Sequence, residues 1–131
     1  TSQIATNPKV RKFINTQQRL AVSKLLKKNF GCVVDGRDIG SEVFQNAQLK
    51  LFIHVKLEIR AKRRHKQLIE YGEKSIQSQI LKDLRLRDKT DSTRKTSPLI
   101  VPDGAVIIDN SNSFESTIVQ INKALTKLKQ L

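Results

Sequence analysis

The sequence predicts an α/β domain built on a parallel sheet with flanking helices. Two observations carry that expectation. Three short apolar runs are rich in strand formers, and two of them end on an acid; between and beside the runs lie stretches with apolar residues at helical spacing. The runs are Cys32-Val33-Val34-Asp35, Leu49 to Val55, and Ala105-Val106-Ile107-Ile108-Asp109. Their brevity and β-branched content favour buried strands.

The first helical rhythm follows the Asn7-Pro8 turn signal. It uses Val10, Phe13, Ile14, Gln17, Leu20, Ala21 and Leu25, with Lys24, Lys27 and Lys28 on the wet side and Asn29-Phe30-Gly31 as its stop. Leu57, Ala61 and Leu68 line one face of a strongly basic segment from Glu58 to Gln67. Ile76, Ile80, Leu81 and Leu84 line a third helix, and Ser113 is an N-cap candidate for a last one carrying Ile118, Ile121, Leu125 and Leu128. From Arg87 to Ser97 no residue is apolar, which predicts a loop. No internal repeat is visible.

With 131 residues the chain has the size of one domain. Its apolar share is 37% and its aromatic share 5%, a lean composition whose apolar residues nevertheless fall in periodic runs, unlike those of a disordered chain. A formal net charge of +13 favours polyanionic partners: nucleic acid, an anionic membrane, or phosphorylated small molecules. A single cysteine, Cys32, excludes an internal disulfide and fits a reducing cytoplasm. No apolar stretch approaches the roughly 20 residues of a membrane span. No leader sequence is visible, although the chain begins with Thr1 and not with Met.

Three constellations could carry chemistry. Asp35-Gly36-Arg37-Asp38-Ile39-Gly40 follows an apolar run, and ligands gather at the carboxyl ends of parallel strands. The alternative there is a turn or cap carboxylate beside a solvated arginine. Arg60, Arg63 and Arg64 fall on one helical face, where guanidinium forks match phosphate oxygens; equally, they could form a solvated basic face. Arg87, Asp88, Asp91 and Arg94 could meet a phosphate and a sugar hydroxyl, or simply pair with one another at the surface. His54 and His65 lack partners at metal-ligand spacing, so a zinc site is not expected. Cys32 is expected to pack as a small hydrophobe. No Ser/His/Asp or Cys/His arrangement suggests a covalent mechanism.

Taken in order along nearly the whole chain, these segments resemble bacterial-type cytidylate kinase, of the P-loop nucleoside monophosphate kinases. The resemblance is carried by Ser2-Gln3-Ile4-Ala5, Pro8-x-Val10-Arg11, Gln18-Arg19, the Asp35–Gly40 run, Val43-Phe44, Ala47 and Lys50-Leu51-Phe52. It continues through Glu58-x-Arg60-Ala61-x-Arg63-Arg64, Gln67-Leu68, Arg87-Asp88-x-x-Asp91-x-x-Arg94, Ser97-Pro98-Leu99 and Ile108-Asp109-Asn110-Ser111. Departures are Ser41-Glu42, where a more apolar or threonine-containing pair is usual, Gln45-Asn46 in place of a Pro-Asp turn, and a longer stretch from Ala21 to Phe30.

The resemblance implies roles. Ser2, Arg11 and Asp38 would recognise the cytosine edge, Arg37 and Arg94 the monophosphate of CMP or dCMP, and Asp91 with Arg87 the ribose. Arg60, Arg63 and Arg64 would belong to a lid, at about residues 60–97, that approaches the ATP phosphates. Arg37, Arg63 and Arg94 are thus the expected catalytic arginines. Asp35 would hold Mg²⁺ through water. The chain would comprise the end of the monophosphate-binding region and a connecting helix (1–30), then the C-terminal part of the core domain (31–131).

G-x-x-x-x-G-K-[ST], the loop that cradles ATP phosphates, occurs nowhere in the 131 residues. The expectation is therefore a partial fold whose central P-loop strand is missing, with little activity alone. A cytoplasmic, monomeric full enzyme, with nucleotides as partners and no membrane, completes the reading. The competing reading is a basic nucleic-acid-binding module; scarce aromatics and the absence of a known binding motif count against it.

Overall fold

In a computed structural model of the chain, residues 7–28, 31–93 and 98–128 are described. Their elements run α1 (Pro8–Leu26), a π-helical turn (Ile39–Val43), β1 (Leu51–His54), α2 (Leu57–Glu70), α3 (Gln77–Thr93), β2 (Val106–Asp109) and α4 (Phe114–Leu128). The chain divides into two compact units. The first comprises Thr1–Ala47 with Ser92–Asp103, the second Gln48–Asp91 with Gly104–Leu131.

The second unit is the α/β part. β1 and β2 pair in parallel, Leu51 opposite Val106 through to His54 opposite Asp109. Two further bonds lengthen the ladder, Val106 N–H to the Lys50 carbonyl (2.9 Å) and Asn110 N–H to that of His54 (2.8 Å). Parallel neighbours need a long crossover, and α2 and α3 supply it. Ala61 and Ile108 are at most 1% exposed, and Ala124 on α4 is buried too. α4 starts where its sequence indicates, with the Ser116 N–H donating to the Ser113 hydroxyl (3.2 Å). Gln120 on that helix pairs with the end of β2 as a neighbouring backbone would: its Oε1 accepts from the Asp109 N–H and its Nε2 donates to the Asp109 carbonyl, each at 2.9 Å. A side chain thus satisfies backbone groups at the end of an edge strand.

In the first unit, Asn7 caps α1 with its side-chain oxygen on the Lys9 and Val10 N–H groups, and Pro8 fills the first turn, where its lack of an N–H is harmless. No residue of α1 is buried. Its half-buried positions include Arg11, Asn15, Gln18 and Val22, whereas Phe13, Ile14, Leu20 and Leu25 are exposed. The apolar side that the rhythm marks as core-facing therefore looks outward. Arg11, half-buried, and Arg19, exposed, reach the segment from Asp38 to Val43 from the other side of the helix, where Val10 is half-buried too.

Two expectations are corrected. Cys32–Asp35 is not a strand: Val33 is 100% exposed and Cys32 is exposed as well, so the thiol does not pack as a hydrophobe. A strand needs a ladder partner, and among the described residues only β1 and β2 pair. The stretch after Arg87 is helical as far as Thr93, not a loop. It lacks Gly and Pro, Thr90 bonds back to the Leu86 carbonyl (2.9 Å), and Arg87 and Asp91 stand at i,i+4, so nothing stops the helix from running on without apolar residues.

Ile108 is the largest side chain wholly enclosed among the described residues. Ile108→Ala is expected to cost about 2–5 kcal/mol of stability, read as a lower urea midpoint with the far-UV spectrum retained.

Candidate nucleotide site

Asp38 and Arg11 form the centre of the first unit's candidate site. Asp38 closes the segment Gly36-Arg37-Asp38 and stands at the N-cap of the π-helical turn with φ −117° and ψ 13°, in the sparsely used bridge region. Its carbonyl accepts from the N–H groups of Glu42 (2.9 Å) and Val43 (3.3 Å), while Phe44 N–H reaches the Ile39 carbonyl at 2.7 Å. The i→i+5 bonds make the turn a π turn, a form common at functional sites. Gly36 is needed because a Cβ there would lie 2.6 Å from Cγ1 of Ile39.

The Arg11 guanidinium forms an ion pair with Oδ2 of Asp38; both side chains are 13% exposed. Such shielding strengthens the pair relative to a solvated one and leaves few geometries open to it. Arg37 is half-buried beside it in sequence, and Asp35 is exposed. Ser41 and Gln45, both departures from the usual pattern, bond within the turn: Gln45 Nε2 donates to the Ser41 carbonyl at 2.7 Å.

In the second unit, the arginines of α2 are engaged with protein oxygens. Arg60 holds Asp88 of α3 with both terminal nitrogens, Nη1 to Oδ1 at 2.9 Å and Nη2 to Oδ2. The hydrogen bond to Asp88 raises the Arg60 pKa above its usual value, against the effect of burial. Arg63 donates from Nη1 to the Asn110 carbonyl (2.8 Å) and from Nη2 to the Asn112 carbonyl (3.0 Å). Arg64 donates to Gln67 Oε1 at 2.7 Å and is exposed. The spacing does place the three arginines on one side of α2, but each has a different partner.

Asp91 is buried at 8% exposure, with Arg87 Nε 3.9 Å from its Oδ2. Ser2 and Arg94 lie outside the described residues. The structure therefore brings together Arg11 with Asp38 in one unit, and Arg87 with Asp91 in the other.

The loop after β2 gathers several groups that sequence reasoning leaves without a role. The Ser111 hydroxyl accepts from the Lys56 N–H (3.0 Å), and its N–H donates to Asp109 Oδ1 (2.8 Å). Thr117 donates to Asn110 Oδ1 at 3.0 Å. Arg19, unassigned in sequence reasoning, bonds the carbonyls of Glu42 (3.0 Å) and Val43 (3.1 Å). The contacts of Lys56 with Ser111 and of Arg19 with Glu42 and Val43 have no local signal, because their partners are 23 to 55 positions apart in sequence. No group of three or more His, Cys, Asp or Glu side chains suited to a metal occurs among the described residues. None of the helices searched is long and apolar enough to cross a membrane.

Comparisons with known proteins complete the description. The family model for cytidylate kinase matches residues 1–130. A cytidylate kinase of Caldanaerobacter subterraneus is 38% identical over 120 residues, covering 91% of this chain and 51% of the relative. That of Mycoplasma pneumoniae is 39% identical over 121 residues (92% and 54%). That of Mycoplasma genitalium is 38% identical over 133 residues (99% and 58%). The chain spans about half the length of these curated relatives.

Asp109 carries a pH prediction. The hydroxyl of Ser111, and then its N–H, hold the Asp109 carboxyl below the usual carboxylate range. A folded pKa below the unfolded one, ordinarily about 3.9, gives stability above that value that is lost as pH falls through the folded pKa. The carboxyl ¹³C titration of Asp109 should show the low midpoint, and Ser111→Ala should move it back upward.

Proposed function

The chain belongs to the cytidylate kinase family, and from that premise we propose that it supplies the acceptor-nucleotide side of an enzyme that transfers a phosphoryl group from ATP to CMP or dCMP. The supporting observation is the shielded Arg11–Asp38 pair. Arg11 engages one carboxylate oxygen, Oδ2, and Oδ1 supplies the acceptor that an exocyclic cytosine amine requires. Uracil presents an oxygen at the same place, so a carboxylate held in this position repels it. Recognition of this kind discriminates strongly, because the wrong base leaves polar groups unpaired. Ser2 and Arg11 complete the base edge in this reading.

Arg37 and Arg94 would hold the monophosphate, and Asp91 with Arg87 the ribose. In the transfer, an oxygen of the CMP phosphate bonds to the γ-phosphorus of ATP as the bond to the β,γ-bridging oxygen breaks, giving CDP and ADP. Such a step calls for positioning and charge neutralisation more than covalent help, and arginine serves both ends. For the lid residues Arg60 and Arg63 the structure adds a condition: to meet ATP phosphates they must exchange their present partners. Arg63 would give up neutral carbonyls, whereas Arg60 would leave a carboxylate, the harder exchange. Arg64, exposed, has the least to give up.

Asp35 is an exposed carboxylate, and no group of three or more potential metal ligands occurs among the described residues. That fits a magnesium ion that arrives with the nucleotide and keeps most of its waters, Asp35 touching it through one of them. Mg²⁺ would neutralise charge on the ATP phosphates. The 131 residues contain no phosphate-cradling G-x-x-x-x-G-K-[ST] loop. The chain alone is therefore expected to turn over little or no CMP.

A coupled assay with ATP, Mg²⁺ and CMP tests both parts of the proposal. Robust turnover by the 131-residue chain would refute the expected inactivity. Failure of a version joined to the phosphate-loop half of a relative would sink the kinase reading. In that joined version Asp38→Asn should lower kcat/KM for CMP and narrow the preference for CMP over UMP by about tenfold or more; an unchanged ratio would remove Asp38 from base recognition.

A further inference from the structure

We infer that Arg19 is the positioning residue that fixes the Asp38–Val43 turn to α1 and so aims Asp38. Only the nucleotide measurements below rest on the reading of Asp38 as a base-recognising group. The geometry itself stands on the first unit. α1 touches the turn through two guanidiniums eight residues apart, about two helical turns along one side of the helix. Arg11 secures the turn's first residue through the Asp38 carboxylate. Arg19 secures its last residues: Nε donates to the Val43 carbonyl at 3.1 Å and Nη2 to the Glu42 carbonyl at 3.0 Å.

The final carbonyls of a helical turn lack partners within the turn, and a cation at that end is favourable. Arg19 meets both needs with one planar fork. Val43, at 5% exposure, is the buried end of the turn, and its carbonyl meets Arg19 in a part-buried bond, so losing that partner leaves the carbonyl only partly open to water. The i→i+5 bonds from Val43 and Phe44 tie those residues to Asp38 and Ile39. A π turn carries one more residue per loop than an α turn and needs outside support to persist. Released at its far end, the turn can tighten, and tightening rotates its first residue, Asp38. Lysine in place of Arg19 keeps the charge but lacks the fork that meets two carbonyls at once.

The test uses the 131-residue chain and its Arg19→Ala and Arg19→Lys variants. Amide exchange at Val43 and Phe44 is compared with exchange at Val106 and Asn110, which reports the second unit. Arg19→Ala should speed exchange at Val43 and Phe44 about tenfold or more, with Arg19→Lys between it and wild type, while Val106 and Asn110 keep their rates. Calorimetric titration with CMP and with UMP should show CMP affinity falling about tenfold in Arg19→Ala and the CMP-to-UMP ratio shrinking. Wild-type exchange at Val43 and Phe44 in Arg19→Ala overturns the inference. So does an unchanged CMP-to-UMP ratio in that variant when Asp38→Asn abolishes it. If the wild-type chain binds neither nucleotide, the nucleotide reading of the site fails, and amide exchange alone decides the role of Arg19.

Discussion

An arginine side chain carries five N–H donors and no acceptor, and in both compact units the tertiary connections depend on finding oxygens for those donors. The apolar core is thin: Val43, Ala61, Ile108 and Ala124 are the buried apolar residues among those described. Hydrophobic burial on that scale cannot by itself hold long helices in register. In the first unit Arg11 and Arg19 tie α1 to the π-helical turn; in the second Arg60 joins α2 to α3, and Arg63 joins α2 to the loop after β2. Each link is directional, so it sets orientation as well as proximity.

The same constraint explains what could be read from sequence. β1 and β2 were legible as strands from their apolar runs of strand formers, although they are not the buried strands expected, since only Ile108 in them is buried; α2 and α4 were legible because their apolar residues recur at helical spacing with caps or charges to match. Cys32–Asp35 carries the same local signal and is not a strand, because a strand is completed by a neighbour that composition does not reveal. Arg87–Thr93 was illegible for the opposite reason: this end of the helix is held by an i,i+4 pair, by Asp88 on Arg60 and by the preceding turn, with a buried carboxylate at Asp91 and no apolar face. The outward apolar side of α1 also escaped, since the spacing shows that a face exists but not which side the arginines pull inward.

Within the candidate site, Asp38 and Arg11 were legible as motif residues, and their contact spans 27 positions. The partners of Arg60 and Arg63 lie 28 and 47 positions away and have no local signature. Arg19, whose partners lie 23 and 24 positions away, was missed for the same reason. A guanidinium looks identical in sequence whether it awaits a phosphate or already holds a carbonyl. The family match gives these residues a shared context, and the structure separates them: Arg11 and Asp38 are paired with each other, while the arginines of α2 hold other protein oxygens.

The arginine links divide the chain's positive charge into two populations. Arg11, Arg19, Arg60, Arg63, Arg64 and Arg87 are each within reach of a named oxygen, four of them (Arg19, Arg63, Arg64 and Arg87) while exposed, and every described lysine except Lys50 is exposed. Much of the +13 surplus therefore sits on solvated ammonium groups that respond to ionic strength. Unspecific adhesion to polyanions then falls mainly to the lysines, with the exposed arginines sharing in it, while the architecture of the fold leans on the arginines. Salt, or acylation of surface amines, could quench the first while leaving the guanidinium framework whole.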